Sequence, residues 1–101
     1  MSQRYHFMVE FHLPEELNDD FFDQIPHQRT AVDRLLEEGC LVSYALSLED
    51  AKLWAVFNAE SEMEVMEMIL EMPLSRFMEA DVHLLAFYNE TPLEVPDFSL
   101  N

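Results

Sequence analysis

Residues 4–13, "RYHFMVEFHL", place an apolar residue at every odd position from Tyr5 to Leu13, while the even positions carry His6, Met8, Glu10 and His12. Alternation with a period of two marks a β-strand with two different faces. One face is uniformly apolar and suits a core. The other holds two histidines and a glutamate, and its role depends on what the rest of the chain lays against it.

The segment "LPEELNDD" interrupts the alternation at Pro14 and supplies Asn18, Asp19 and Asp20 as a cap and first-turn acids for a helix. Phe21, Phe22, Ile25, Val32, Leu35 and Leu36 then recur at helical spacing. Pro26 lies inside this run. It has no N–H to donate and it crowds the preceding turn, so a kink or short break is expected there, with the firm helix over about residues 28–38. Gly39, the only glycine, stands where a helix end favours a left-handed residue.

Residues 40–60, "CLVSYALSLEDAKLWAVFNAE", read as two strands joined by a tight turn at Glu49-Asp50. The first, Cys40 to Leu48, alternates weakly. The second, Leu53 to Phe57, is apolar on both faces and belongs in the middle of a covered sheet. Ser61 with Glu64 three residues on is a capping box. It opens a helix through about Met72, with Glu60, Glu64, Glu67 and Glu71 on one side and Met66, Ile69 and Leu70 on the other, until Pro73 ends it. "ADVHLLAFYN" is a fourth strand, and residues 90–101 form an extended tail carrying Pro92 and Pro96.

The order β-α-β-β-α-β is the ferredoxin-like split arrangement, an α+β fold with two helices on one face of a four-stranded antiparallel sheet and the first and third strands in its centre. One domain over residues 1–89 accounts for everything but the tail. Both helices cover one face, so the other is bare in a single subunit. That bare face presents His6, Met8, Glu10 and His12, together with either Trp54 and Val56 or Leu53, Ala55 and Phe57 from the third strand. A mixed apolar surface of this kind marks an interface or a ligand surface, and a second sheet stacked on it would enclose a cavity.

Composition narrows the partners. Twenty-one acidic residues against five basic ones give a net charge of −16, which excludes the phosphate-neutralising surface that nucleic acid requires. Most of the acids read as solvated helix faces. The single cysteine, Cys40, permits no intramolecular disulfide. No apolar run approaches the roughly 20 residues of a membrane helix, and the N-terminus lacks the apolar core of a secretion signal, so a cytoplasmic, soluble protein is expected. The seven methionines read as adaptable core filler.

These segments resemble the muconolactone isomerase family of the dimeric α+β barrel superfamily. The likeness lies in "FMVEFHLP", in "LLEEG" closing the first helix, in "WAVFNAES" leading into the second, and above all in "EMPLSRFM" at residues 71–78. The resemblance implies ferredoxin-like subunits that pair sheet to sheet as a homodimer or higher homo-oligomer. It also implies a cofactor-free isomerisation of a small lactone carboxylate from aromatic catabolism, by moving a proton between carbons. Where the family carries an acidic and lysine-rich stretch in the first helix, this chain has His27-Gln28-Arg29-Thr30, of which only Arg29 keeps the basic character. A cofactor-independent monooxygenase of the same superfamily and a non-catalytic small-molecule-binding oligomer are the alternatives.

Glu10 and His12 are two apart on one strand face, so their side chains project side by side, roughly 6–7 Å apart at the backbone. A glutamate desolvated in a partly apolar pocket has its pKa raised toward the range useful for taking and returning a proton. Glu10, His12 and His6 are therefore the candidate catalytic residues, the competing reading being a hydrogen-bonded pair at a surface or interface. His6 is roughly 20 Å from His12 along the strand, so one metal cannot take both within a subunit. His83 could approach from the last strand, which makes a site of His12, Glu10 and His83 conceivable, but no close ligand spacing supports it and no metal is expected. Tyr44 and Trp54 can line the cavity or serve in the core. Arg76 can hold a substrate carboxylate or satisfy helix-end carbonyls. With His83, these three make up the candidate substrate-binding set.

Overall fold

The computed structural model describes residues 3–90. The part of the expected tail from residue 91 onward lies outside the described residues. In order the elements are β1 (Tyr5–His12), α1 (Asp19–Glu37), β2 (Leu41–Ser47), β3 (Lys52–Ala59), α2 (Glu62–Leu70), a short 3-10 turn (Pro73–Phe77) and β4 (Glu79–Leu84). The strands form one antiparallel sheet in the order β2-β3-β1-β4, with β1 and β3 central as the sequence predicts.

Each helix starts where its cap residue stands. The Asn18 side-chain oxygen accepts a hydrogen bond from the Phe21 N–H at 2.9 Å, and Asp19 and Asp20 oppose the helix dipole in the first turn of α1. Of the kink or short break expected at Pro26, the break does not occur, and the helix runs from Asp19 to Glu37 with Pro26 inside it. Pro26 is exposed, so its ring costs one backbone bond without displacing a neighbour. Buried Phe21 before it, and Gln28, Val32 and Leu35 after it, anchor both halves to the same layer. At the far end Gly39 has φ +78, its N–H donates to Leu36 O, and the Cys40 N–H donates to Leu35 O. This pair of bonds is the Schellman arrangement.

The β2–β3 hairpin turns at Glu49-Asp50, closed by a 3.2 Å bond from the Ala51 N–H to Leu48 O, with Ala51 itself left-handed at φ 54. In α2 the Ser61 hydroxyl accepts from the Glu64 N–H at 3.2 Å, while the Glu64 carboxylate reaches back to the N–H of Glu60 rather than that of Ser61. The helix stops at Leu70, before Met72, and the 3-10 turn that follows was not legible in the sequence. The buried stripe of α2 is Val65, Met68 and Ile69, with Met72 buried just beyond it, whereas Met66 and Leu70, expected inside, are 41% and 76% exposed. Spacing alone left this choice open, because α2 is apolar on more than one side. β4 is also shorter than its apolar run, ending at Leu84, although the Leu85 N–H still donates to His6 O.

Register decides what each sheet face carries. Phe7 pairs with Phe57, Val9 with Ala55 and Phe11 with Leu53, and all six are buried beneath the helices with Val32, Leu35, Val65 and Ile69. Each of the larger side chains among them, Ala55 excepted, contributes about 1.5–3 kcal/mol by leaving water. On the bare face His6 pairs with Asn58, Met8 with Val56, Glu10 with Trp54 and His12 with Lys52. The third strand therefore gives this face Trp54 and Val56, and Val56 is already buried at 2% exposure within the single chain. Among the described residues no helix is long and apolar enough to cross a membrane.

Candidate functional site

On the bare face the end of β1 gathers charge. Glu10 and His12 are neighbours on the same side of β1. Asp81 of β4 lies in register with Glu10, and Lys52 of β3 lies in register with His12. The Lys52 ammonium is 2.8 Å from Glu10 Oε2, and His12 Nε2 is 2.9 Å from Asp81 Oδ2. The hydrogen bond and charge of Lys52 outweigh desolvation and hold the Glu10 carboxyl below its usual value. Lys52 is in turn pushed up, first by its bond to Glu10. The sequence reading expected a Glu10 raised by an apolar pocket. In the single chain the opposite holds, because Lys52 is there and Glu10 remains partly open to water.

The predicted residues do not all meet. Glu10, His12 and Trp54 share one patch. His83 is on the same face but in register with Met8, a step further along the sheet. His6 is at the other end of β1, its ring 5.0 Å from that of Tyr88. Tyr44 is on the opposite face, in register with buried Ala55. Arg76 is also away from the cluster, its guanidinium 4.7 Å from the centre of the Phe77 ring, at a groove of about 460 Å³ that Met66, Leu70 and Met78 help to line.

Beneath the N-terminal half of α1, on the helix side of the sheet, lies a second feature that the sequence reading did not assemble. A cavity of about 380 Å³ is lined by Leu13, Phe21, Phe22, Ile25, Tyr44, Leu46, Leu53, Leu74 and other apolar side chains, with Arg29 as the only charged one among the described residues. Tyr44 is fixed there by buried Gln28, whose Nε2 donates to the Tyr44 hydroxyl at 2.8 Å while its Oε1 accepts from the Leu74 N–H at 3.0 Å. Burial pushes the Tyr44 hydroxyl up, so it remains protonated. The five basic side chains differ in their partners. Arg4 donates to Asn58 O, Arg34 pairs with Glu71, Lys52 pairs with Glu10, and Arg76 stacks on Phe77. Among the described residues Arg29 has no ion pair or hydrogen bond.

Fold and site together define a small ferredoxin-like α+β domain with an apolar cleft under its first helix and charged groups on the uncovered side of its sheet. The sequence model for muconolactone delta-isomerase matches residues 4–91, and the chain belongs to that family. The fold is similar to a crystal structure of muconolactone isomerase, with a TM-score of 0.67 and 19% identity over 85% of this chain and 93% of that one. It is similar to an uncharacterised protein from Thermotoga maritima, with a TM-score of 0.54 and 7% identity over 82% and 99%. It also matches a dimeric ferredoxin-like protein from an uncultured marine organism, with a TM-score of 0.47 and 15% identity over 89% and 95%. No curated protein matches the chain.

Lys52 and Asp81 are the residues missed from the sequence, in which Arg29 stands out only for its basic character and not as a site residue. Counting outward from the Glu49-Asp50 turn would have put Lys52 at the mouth of the hairpin. Asp81 shares the parity of His83 and so shares its face.

Proposed function

We propose that the chain binds a small, largely apolar unsaturated acid, of the lactone-acid class named by its family, in the cleft beneath α1, with the carboxylate held by Arg29. The observation that carries this reading is an arginine that has no ion pair or hydrogen bond among the described residues, at a cavity whose other described lining residues carry no charge, in a protein of net charge −16. In such surroundings every nearby acid competes for a cation, and one left unsatisfied beside apolar surface fits a ligand with a greasy body and an anionic end. The described residues that line the cleft are apolar side chains, Tyr44 and Arg29, a lining that supports binding of an apolar acid. Calorimetric titration of the full chain with muconolactone and related unsaturated acids tests it. Saturable binding that weakens in Arg29→Gln is expected, and equal affinity in the variant overturns the reading.

A second reading is favoured by the bare-face cluster. Here a second copy of the chain covers the sheet, and Glu10 and His12 move a proton within the lactone acid without cofactor, with Trp54 and His83 flanking the substrate. Closure of the face would desolvate Glu10, and Lys52, drawn from Glu10 to the substrate carboxylate, would cease to hold the Glu10 carboxyl below its usual value. Loss of turnover in Glu10→Gln with affinity retained supports it. A clean monomer by light scattering at micromolar protein removes it.

A further inference from the structure

Glu10 and Asp81 are directly opposed across the β1–β4 ladder on the bare face, and Glu79 is opposed to His12 in the next pair on that side. Like charges set directly opposite one another destabilise a sheet. This face nonetheless carries three carboxylates, those of Glu10, Glu79 and Asp81, against one ammonium, that of Lys52, which bonds Glu10, within a protein of net charge −16. One donor atom each from Glu10, His12 and Asp81 lies within 4.8 Å of the other two. Glu10 and His12 stand on a strand paired on both sides, so their backbone is fixed and only side-chain rotation is needed to converge.

We infer that Glu10, His12 and Asp81 form a site for one divalent transition-metal ion. An imidazole nitrogen with two carboxylate oxygens is a donor set that Zn²⁺ and Mn²⁺ accept, at metal–ligand distances of roughly 2.0–2.2 Å for zinc. That leaves coordination positions for water or an anion. The excess of two carboxylates over ammonium on this face matches the charge of the ion. Two pairings oppose entry: the Lys52 ammonium occupies Glu10, and His12 Nε2 is bonded to Asp81 at 2.9 Å, so both must open for an ion to enter. His83, in register with Met8, faces the same side and is the nearest further imidazole donor along β4. The inference is independent of the cleft, which lies on the other side of the sheet.

The test is calorimetric titration of the chelator-treated full chain with zinc chloride at near-physiological salt, each variant first checked for native circular dichroism. One ion per chain is expected. His12→Asn and Asp81→Asn should each weaken binding by about tenfold or more, since each removes one of three ligands. Lys52→Met should tighten it by removing the competing cation, and Glu62→Gln, on α2, should change nothing. Uptake of several ions with an affinity indifferent to His12→Asn and Asp81→Asn, or no uptake at millimolar zinc, overturns the site. Binding is read directly, so the outcome does not depend on any turnover.

Discussion

Glu10 and Lys52 are joined by a 2.8 Å ion pair that runs diagonally from β1 to β3, since Glu10 is in register with Trp54 and Lys52 with His12. The pair fixes a pH signature. Glu10 is held below its ordinary 4.5, so its contribution to stability is present above that value and is lost as pH falls through the lowered one. Lys52 is raised above its ordinary 10.5, so its contribution is present below that value and is lost as pH rises through the raised one. The stability difference between the native chain and Glu10→Gln should therefore be level across neutral pH and shrink toward both extremes. Urea unfolding at stepped pH measures it. A difference that grows on acidification would contradict the pairing.

The cleft reading makes a prediction about ligand charge. Neutralising the ligand as its primary amide should weaken binding to the native chain by about 1.5–3 kcal/mol, roughly 10- to 150-fold, the range for a hydrogen bond to a charged group. Against Arg29→Gln, acid and amide should bind alike. Four titrations complete the cycle, and a preference for the acid that survives in Arg29→Gln would place the anion elsewhere.

Gln28 joins three elements, since it lies on α1, donates to Tyr44 on β2 and accepts from Leu74 in the 3-10 turn. Gln28→Leu strips a buried N–H of its acceptor and should cost about 1–3 kcal/mol in chemical denaturation. Tyr44→Phe leaves the Leu74 bond intact and should cost less. A reversed order would mean that the Leu74 bond contributes little.

Pro26 forgoes a backbone hydrogen bond in the middle of an unbroken helix. Pro26→Ala should restore it and raise the unfolding free energy by about 1–3 kcal/mol, given the interior cost of proline. The denaturation midpoint would move up without a change of slope. A lower midpoint would mean that restricting the unfolded chain matters more here than the missing bond.

Much of the fold was legible because its signals are local. The alternation of Tyr5 to Leu13, the caps at Asn18 and Ser61 and the stop at Gly39 each depend on residues within a few positions. What escaped depends on neighbours distant in the chain. Burial of Val65 and Met68 in place of Met66 and Leu70 is set by where β3 lies beneath α2, and continuity through Pro26 is set by the packing on either side. The site divided in the same way. Glu10 beside His12 follows from a period of two, but Lys52 and Asp81 arrive through cross-strand register, and the cleft at Arg29 comes from how α1 sits over the hairpin. The separation of Tyr44 from Trp54 required knowing on which side of the sheet the bulge between Leu41 and Ser43 leaves β2.

His12 and Leu13 are consecutive residues, yet one belongs to the charged patch and the other to the greasy cleft, with the thickness of a single sheet between them. The sheet acts as a partition wall between two chemically unlike rooms. Changes made in one room should leave the other undisturbed, so substitutions drawn from opposite sides should combine additively. Descendants of this chain can thus rework what they hold on one side while inheriting the other intact.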